Sequence, residues 1–366
     1  MIDFLLGVSM TIKKALVLAA GRGTRLRPLT HTMPKQVIPV ANRPILHYVL
    51  EQLNCVGIRE VGMVVSPENH EQIKHSIDRN PWDLRLEYIE QKSPLGLAHA
   101  VIVSRDFLKE ESFLMYLGDN LSGGGLDGIL HTFESTNADA TLMLKEVTNP
   151  QQFGIAEIGI EGEIIRLVEK PENPTSNLAI IGTYCFSPMI HQATSSIVPS
   201  KRGELEITDA IQCLLENGGI VNSESLDSWW FDCGTKDDLL EANKTILEQS
   251  NSGHVEGNIS EDSNIEGQVE IGAGTRVTNS EIIGPVRIGK NSTIVNSLIG
   301  SETSIGSECT IKNSSIRRTI LMDNGTIDNM TQIEKSVIGK SSNVISHSEF
   351  VGNIQFMVGD ESEILL

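Results

Sequence analysis

Hydrophobic and polar positions along this chain fall into three regimes. Up to about residue 145, apolar runs of strand length alternate with amphipathic stretches of helix length. Ala15–Ala20, Val61–Val65, Leu86–Ile89, Phe113–Leu117 and Ala140–Lys145 predict strands. Ile45–Cys55, Glu68–Ile77, Leu97–Ser104 and Leu126–Ser135 predict the intervening helices, and Ser66-Pro67-Glu68 suits a helix start. Such alternation predicts an α/β domain, a mostly parallel sheet with helices on both faces. Residues 150–245 are more mixed. They predict hairpin strands at Ile155–Ile158 and Ile164–Val168 and helices near Asp209–Glu216 and Asp237–Glu248.

After about residue 250 the pattern changes to Ile, Val, Gly, Ser and Asn with almost no aromatics, and it repeats. Ile271, Ile288 and Ile305 are 17 apart, each followed by Gly, and Val277, Ile294 and Ile311 keep the same spacing. So do Asn279-Ser280, Asn296-Ser297 and Asn313-Ser314. A fixed short period marks a solenoid. One inward aliphatic on each of three short faces per turn predicts a left-handed parallel β-helix. The register breaks between Arg317 and Ile327 and resumes with Ile327, Ile333 and Val337, displaced by five residues, which predicts a small loop there. The expected domains are 11–248 and 249–366, after a disordered extension over 1–10, with either Met1 or Met10 as the start.

Ligands of a parallel sheet bind beyond the C-terminal ends of its strands. Gly21–Arg27, Gln91–Leu97 and Asp119 all fall at such ends. The first predicted strand runs into Gly21 and Gly23, then Arg22, Arg25, Arg27 and Lys35. Glycines let backbone N–H groups approach a ligand, and arginine forks match phosphate oxygens. The stretch is neither a Walker loop, since no Gly-Lys-Ser/Thr follows, nor the dinucleotide fingerprint, since Leu26 occupies the third glycine position. Local positive charge in a chain of formal net charge −19 points to an anionic small molecule.

Composition narrows the classes further. The acidic balance disfavours nucleic acid, and an aromatic content of 4% disfavours base-stacking platforms. No apolar stretch reaches membrane-spanning length, so no membrane partner is expected. Five scattered cysteines without C-x-x-C argue against a disulfide framework or structural zinc and fit a cytoplasmic location.

The stretch LAAGRGTRLRPLTHTMPKQVIPVANRPIL resembles the signature of the sugar-nucleotidyltransferases, most closely the long-form glucose-1-phosphate thymidylyltransferases. EQKSPLGLAHA (90–100), YLGDN (116–120), FGIAE (153–157), LVEKP (167–171), RGELEITDA (202–210) and WWFDCGT (229–235) match in order. One departure is Ala20, where short-form enzymes usually have Gly. The resemblance implies a Rossmann-like nucleotide-diphospho-sugar transferase domain. It also implies magnesium-dependent transfer of a thymidylyl group from dTTP to glucose 1-phosphate, with release of pyrophosphate.

By the same resemblance, Asp119 and Asp232 hold Mg2+, Arg25 and Lys35 contact the departing pyrophosphate, and Lys170 binds the sugar phosphate. Leu18, Ala20, Gly21, Gly23, Thr24 and Arg25 line the nucleotide, while Gln91 and Gly96 read its base. Gly154, Glu169 and Tyr184 contact the sugar. Three questions stay open at this level. UTP is an alternative donor, since uracil lacks only a methyl. An acyltransferase activity on the β-helix is another possibility, with His254 and His347 as its histidines. Assembly into a homo-oligomer, such as a trimer, through the β-helix is the third.

Overall fold

The computed structural model describes residues 12–250, 253–347 and 352–366. The expected extension over 1–10, and the choice of start, lie outside the described residues. By packing, the chain divides into two compact units. One joins the residues up to Gly21 to Leu46–Trp230, and the other joins Arg22–Ile45 to Phe231–Leu366.

The first unit is a sheet of nine strands. These are β1 (Lys14–Leu18), β2 (Glu60–Val65), β3 (Arg85–Glu90), β4 (Phe113–Leu117), β5 (Ala140–Glu146), β6 (Gly154–Ile158), β7 (Ile164–Glu169), β8 (Leu178–Phe186) and β9 (Val221–Ser225). The order is β7-β6-β8-β4-β1-β2-β3, with β5 on β8 and β9 on β5. Strands β1 to β4 are parallel to one another, with Leu16 opposite Gly62 and Met115. All five residues of β1 are buried, as befits a strand covered on both faces. Strand β8 runs antiparallel to β4, β5 and β6, so the sheet is mixed. The hydrophobic pattern does not delimit β8, which bends where the register shifts between Ile180 and Tyr184 and Gly182 takes φ +77°.

Helices connect the parallel strands: α1 (Ile45–Cys55), α2 (His70–Ser76), α3 (Leu97–Val103) and α4 (Asp127–Thr136), with α5 (Ile190–Ser196) and α6 (Ile207–Glu216) further on. One apolar cluster of this unit includes Leu16, Val64, Val101, Phe113, Leu142 and Ile211. Between β1 and β4 the strand order reverses direction. Their C-terminal ends therefore form a switch point, the usual position for a ligand.

In the second unit, three parallel ladders stack coil on coil. Val277 pairs with Ile294 and Ile294 with Ile311; Ile282 pairs with Ile299 and Ile299 with Ile316; Ile271 neighbours Ile288, which neighbours Ile305. The inward aliphatics form a second core. Asn279, Asn296 and Asn313 turn one corner at φ 44°, 49° and 47°, a region asparagine tolerates. Their amides hydrogen-bond down the stack at 2.9 and 3.1 Å. Asn279, Asn296 and Asn313 thus mark the turning points of successive coils.

The loop expected between Arg317 and Ile327 is absent among the described residues. The strand Ser315–Leu321 runs through the corner. Ile299 pairs with Ile316 but Ser304 with Ile320, so this corner has one residue fewer and the local period falls to 16 (320 − 304). The later apolar positions are therefore displaced by one residue. Arg318 makes the shortened turn at φ 46°, and its guanidinium pairs with Glu241 and Glu302. A single left-handed residue turns the chain here without an added loop. The helix α7 (Lys236–Gln249) also belongs to this unit and opens on a Thr235–Asp238 capping box.

Candidate active site

In the first unit, β1 and β4 bring their ends together. The Gly118 N–H donates to the Leu18 carbonyl at 2.9 Å, and a Cβ on Gly118 would lie 3.0 Å from that oxygen. The glycine thus permits the close approach that places Asp119 beside the chain leaving β1. Leu18 is locked between Val64 and Leu117. The Ala19 carbonyl accepts from Asn69 Nδ2 at 2.7 Å, which fixes the backbone leading to Ala20 and Gly21. Next to Asp119, the buried Asn120 donates to the Ile181 carbonyl at 3.0 Å.

Gln91 follows β3 directly and is buried. Its Nε2 donates to the Gly96 carbonyl at 3.1 Å and lies 3.0 Å from His99 Nδ1. Gly96 has φ +102°, and a Cβ there would lie 2.4 Å from the Leu205 carbonyl oxygen. Both the conformation and the space demand glycine. Leu205 clamps the loop twice, its N–H donating to Leu95 at 2.7 Å and its carbonyl accepting from Ala98 at 3.1 Å. The Gly96 N–H donates to no group among the described residues.

A third group gathers at β6 and the edge strand β7. Glu169 accepts from Thr208 Oγ1 at 3.0 Å and from Arg202 Nη1 at 3.2 Å, with Lys170 Nζ at 3.8 Å. A Cβ on Gly154 would lie 3.0 Å from Glu169 Oε2 and 2.7 Å from the Thr208 methyl, so this position also needs glycine. Burial, and then the Glu206 carboxylate, raise the Glu169 pKa above the usual carboxylate value; Thr208, Lys170 and Arg202 oppose them. Lys170 is exposed and has φ 43°. Tyr184 is buried against Phe186, ring centroids 5.6 Å apart and nearly parallel, so its ring belongs to the core. Burial, with the Glu169 charge, raises its phenol pKa.

In the second unit, Arg25, Lys35 and Asp232 converge. Lys35, only 7% exposed, donates to the Asp232 carbonyl at 2.8 Å, and Arg25 Nη2 lies 3.4 Å from Asp232 Oδ2. Cys233 at φ 45° folds the chain so that the Gly234 N–H meets Asp232 Oδ1 at 3.0 Å. A Cβ on Gly234 would lie 2.6 Å from the Arg25 guanidinium. Gly23 has φ +59° with its carbonyl held by Thr30 Oγ1 at 2.7 Å, and a Cβ there would press on Lys35 at 3.1 Å. Thr24 opens the short turn that carries Arg25, and both are exposed. The glycines thus serve packing of the cationic side chains as well as backbone freedom.

Sequence reading did not assign Arg202, Thr208 or His99. Each lies within a quoted motif, but a single polar contact, 8 residues away for His99 and 33 and 39 for Arg202 and Thr208, leaves no periodic signal. On the stacked coils, His254 is exposed beside Glu256 at 3.0 Å, and His347 is also exposed. Asp119 and Asp232 offer hard oxygen donors. Among the described residues no group of three or more His, Cys, Asp and Glu is arranged to hold a metal. One or two carboxylates suit an ion that takes its other ligands from phosphate and water.

The family profile described as nucleotidyl transferase matches residues 14–249. A glucose-1-phosphate thymidylyltransferase of Streptomyces griseus is 42% identical over 95% of this chain and 98% of its own. The low-salt glycan biosynthesis nucleotidyltransferase Agl11 of Haloferax volcanii is 41% identical over 96% of this chain and 100% of its own. Among solved structures, a UDP-glucose pyrophosphorylase complexed with UDP-glucose superposes with TM-score 0.59 at 27% identity, covering 65% of this chain and 100% of that one.

Proposed function

We propose, for a chain that belongs to the nucleotidyl transferase family, that it transfers a thymidylyl group from dTTP to glucose 1-phosphate, yielding dTDP-glucose and pyrophosphate. The observation that carries the reading is the full-length likeness to a thymidylyltransferase, 42% over 95% of the chain. The base-facing groups agree with it: an acceptor on Gln91 beside a backbone donor on Gly96 complements an imide edge, N3–H next to a carbonyl. That pair does not read the thymine methyl. A methyl in a pocket is worth ~1–3 kcal/mol, so UTP is expected as a slower donor.

The sugar phosphate is already an anion and needs no general base. Its oxygen bonds to the α-phosphorus as the bond to the bridging oxygen of pyrophosphate breaks. The chain's task is to hold two anions close and to receive the charge that departs. Lys170 is assigned to the sugar phosphate and Glu169 to sugar hydroxyls, with Gly154 leaving the space. Arg25 and Lys35 are assigned to the pyrophosphate. Asp119 and Asp232 are the proposed carboxylate ligands of magnesium, which when bound neutralises phosphate charge.

Among the described residues no helix is long and apolar enough to cross a membrane. The reading further places the protein in the cytoplasm as a homo-oligomer, trimeric by expectation, joined through its stacked coils; light scattering of the purified chain tests the assembly. The function is tested by pyrophosphate release from dTTP, UTP and dCTP with glucose 1-phosphate and with amino-sugar phosphates. The highest kcat/KM is expected for dTTP with glucose 1-phosphate. No release from any pair, or a preferred purine or cytosine nucleotide, overturns the reading.

A further inference from the structure

The Gln91 amide is oriented by its surroundings, and one of those partners has no role in the reaction as read so far. The Gly96 carbonyl can only accept. The amide atom 3.1 Å from it must therefore be the nitrogen of Gln91. The second hydrogen of that NH2 points to His99 Nδ1 at 3.0 Å. This ring nitrogen accepts only when the imidazole is neutral and its proton is on Nε2. Both amide hydrogens are then used inside the protein, and Oε1, which has no partner among the described residues, is the one atom left for a ligand.

We propose that His99 is a positioning residue for base choice: it holds the Gln91 amide so that only its oxygen faces the nucleobase, which admits an imide N3–H and rejects the bare N3 of cytosine. The inference rests on the reading that Gln91 contacts the base. Two features support it. Burial lowers the His99 pKa from its ordinary value, which keeps the ring neutral near pH 7. The backbone around it is fixed, since α3 and the Gly96 turn are both tied to Leu205. Without an acceptor at position 99 the amide keeps only the Gly96 carbonyl and rotates more freely, presenting its NH2 part of the time. With a different acceptor there, the lock is kept.

The test uses the full-length protein and steady-state kinetics with dTTP or dCTP and glucose 1-phosphate. His99→Leu is expected to raise the KM for dTTP by about five- to tenfold, the worth of one hydrogen bond. It is expected to narrow the preference for dTTP over dCTP by a similar factor. The KM for glucose 1-phosphate and kcat at saturating dTTP should stay within about twofold, since the lost bond acts on the base alone. His99→Gln, whose side-chain oxygen accepts, should restore both dTTP values to within about threefold of the original.

Unchanged nucleotide KM and base preference in His99→Leu, while Gln91→Leu raises the KM, would overturn the role of His99 and leave the base reading standing. An unchanged KM in Gln91→Leu would overturn both. A uniform loss in all kinetic constants that His99→Gln does not rescue would show a merely structural histidine. If His99→Leu does not fold, His99→Met, which also lacks a strong acceptor, decides between the same outcomes.

Discussion

Asp119 and Glu169 illustrate what single residues contribute, because their surroundings give them different tasks. Asp119 stands just beyond Gly118, where β4 meets the end of β1. Asp119→Ala removes a proposed metal ligand without touching the core. It is expected to lower kcat by ~100-fold or more at saturating magnesium while thermal melting stays within a few degrees, since electrostatic stabilisation of leaving charge dominates such transfers. Unaltered turnover would remove Asp119 from the mechanism. Glu169 has a pKa raised by burial and by Glu206. Between the unfolded value and this raised value, the folded chain keeps a proton that the unfolded chain has lost. The group's contribution to stability therefore declines as pH rises through that window. On the proposed assignment of Glu169 to sugar hydroxyls, binding runs the other way, because the ionised carboxylate is the better acceptor. The KM for glucose 1-phosphate is expected to fall as pH rises just above the usual carboxylate range, and Glu169→Gln should abolish that limb. A limb that persists in Glu169→Gln would assign it to another group.

At the scale of elements, the two kinds of strand differ in how they can be read. Strands β1 to β4 are apolar runs between helices, and each lies within about two residues of its expected position. Strand β8 is as apolar as β1 but follows no helix-length stretch and bends at Gly182, so no period marks its limits. The stacked coils were legible because a 17-residue spacing is a direct image of the ladder pairing. The shortened corner at Arg318 looks like a loop in the sequence pattern, because a deleted residue and an inserted one both break the period. The ladder also predicts unequal costs. Ile299→Ala opens a cavity in a fully buried stack and is expected to cost about 2–5 kcal/mol. Asn296→Gly, on the exposed corner at φ 49°, removes the amide without the left-handed penalty of a Cβ and should cost only about 1 kcal/mol. Chemical denaturation of both variants checks the contrast, and equal costs would mean that the amide ladder bears on stability as much as the aliphatic core.

For the whole molecule, the informative result is which pieces of chain pack together. The segment Arg22–Ile45, which carries Arg25 and Lys35, joins the compact unit of the stacked coils although more than 180 residues separate them in sequence. Nothing in its hydrophobic pattern announces which partner its buried Leu26, Leu29, Ile38 and Val40 take, and polar contacts add to the union. Asn243, fully buried on α7, accepts from the Ala41 N–H and from Ser304 Oγ, both at 2.8 Å, and donates to the Glu302 carbonyl at 3.0 Å. Arg287 Nη1 reaches the Ala41 carbonyl at 2.7 Å, and Asn42 Nδ2 reaches that of Ile305 at 2.6 Å. The coils thus anchor the C-terminal part of the segment that carries Arg25 and Lys35, so on the proposed assignment of those two cations to pyrophosphate the coils bear on its binding. Asn243→Leu keeps the volume and strands three polar groups, at roughly 1–3 kcal/mol for each group left buried and unpaired. Stability is expected to fall by about 3 kcal/mol or more. In the reverse reaction the KM for pyrophosphate should rise by about tenfold, while the KM for dTDP-glucose changes less than twofold, because only the cations on the loosened segment lose their placement. A stability loss with no change in the pyrophosphate KM would show that Gly23, Thr30 and Asp232 suffice to hold Arg25 and Lys35 in place.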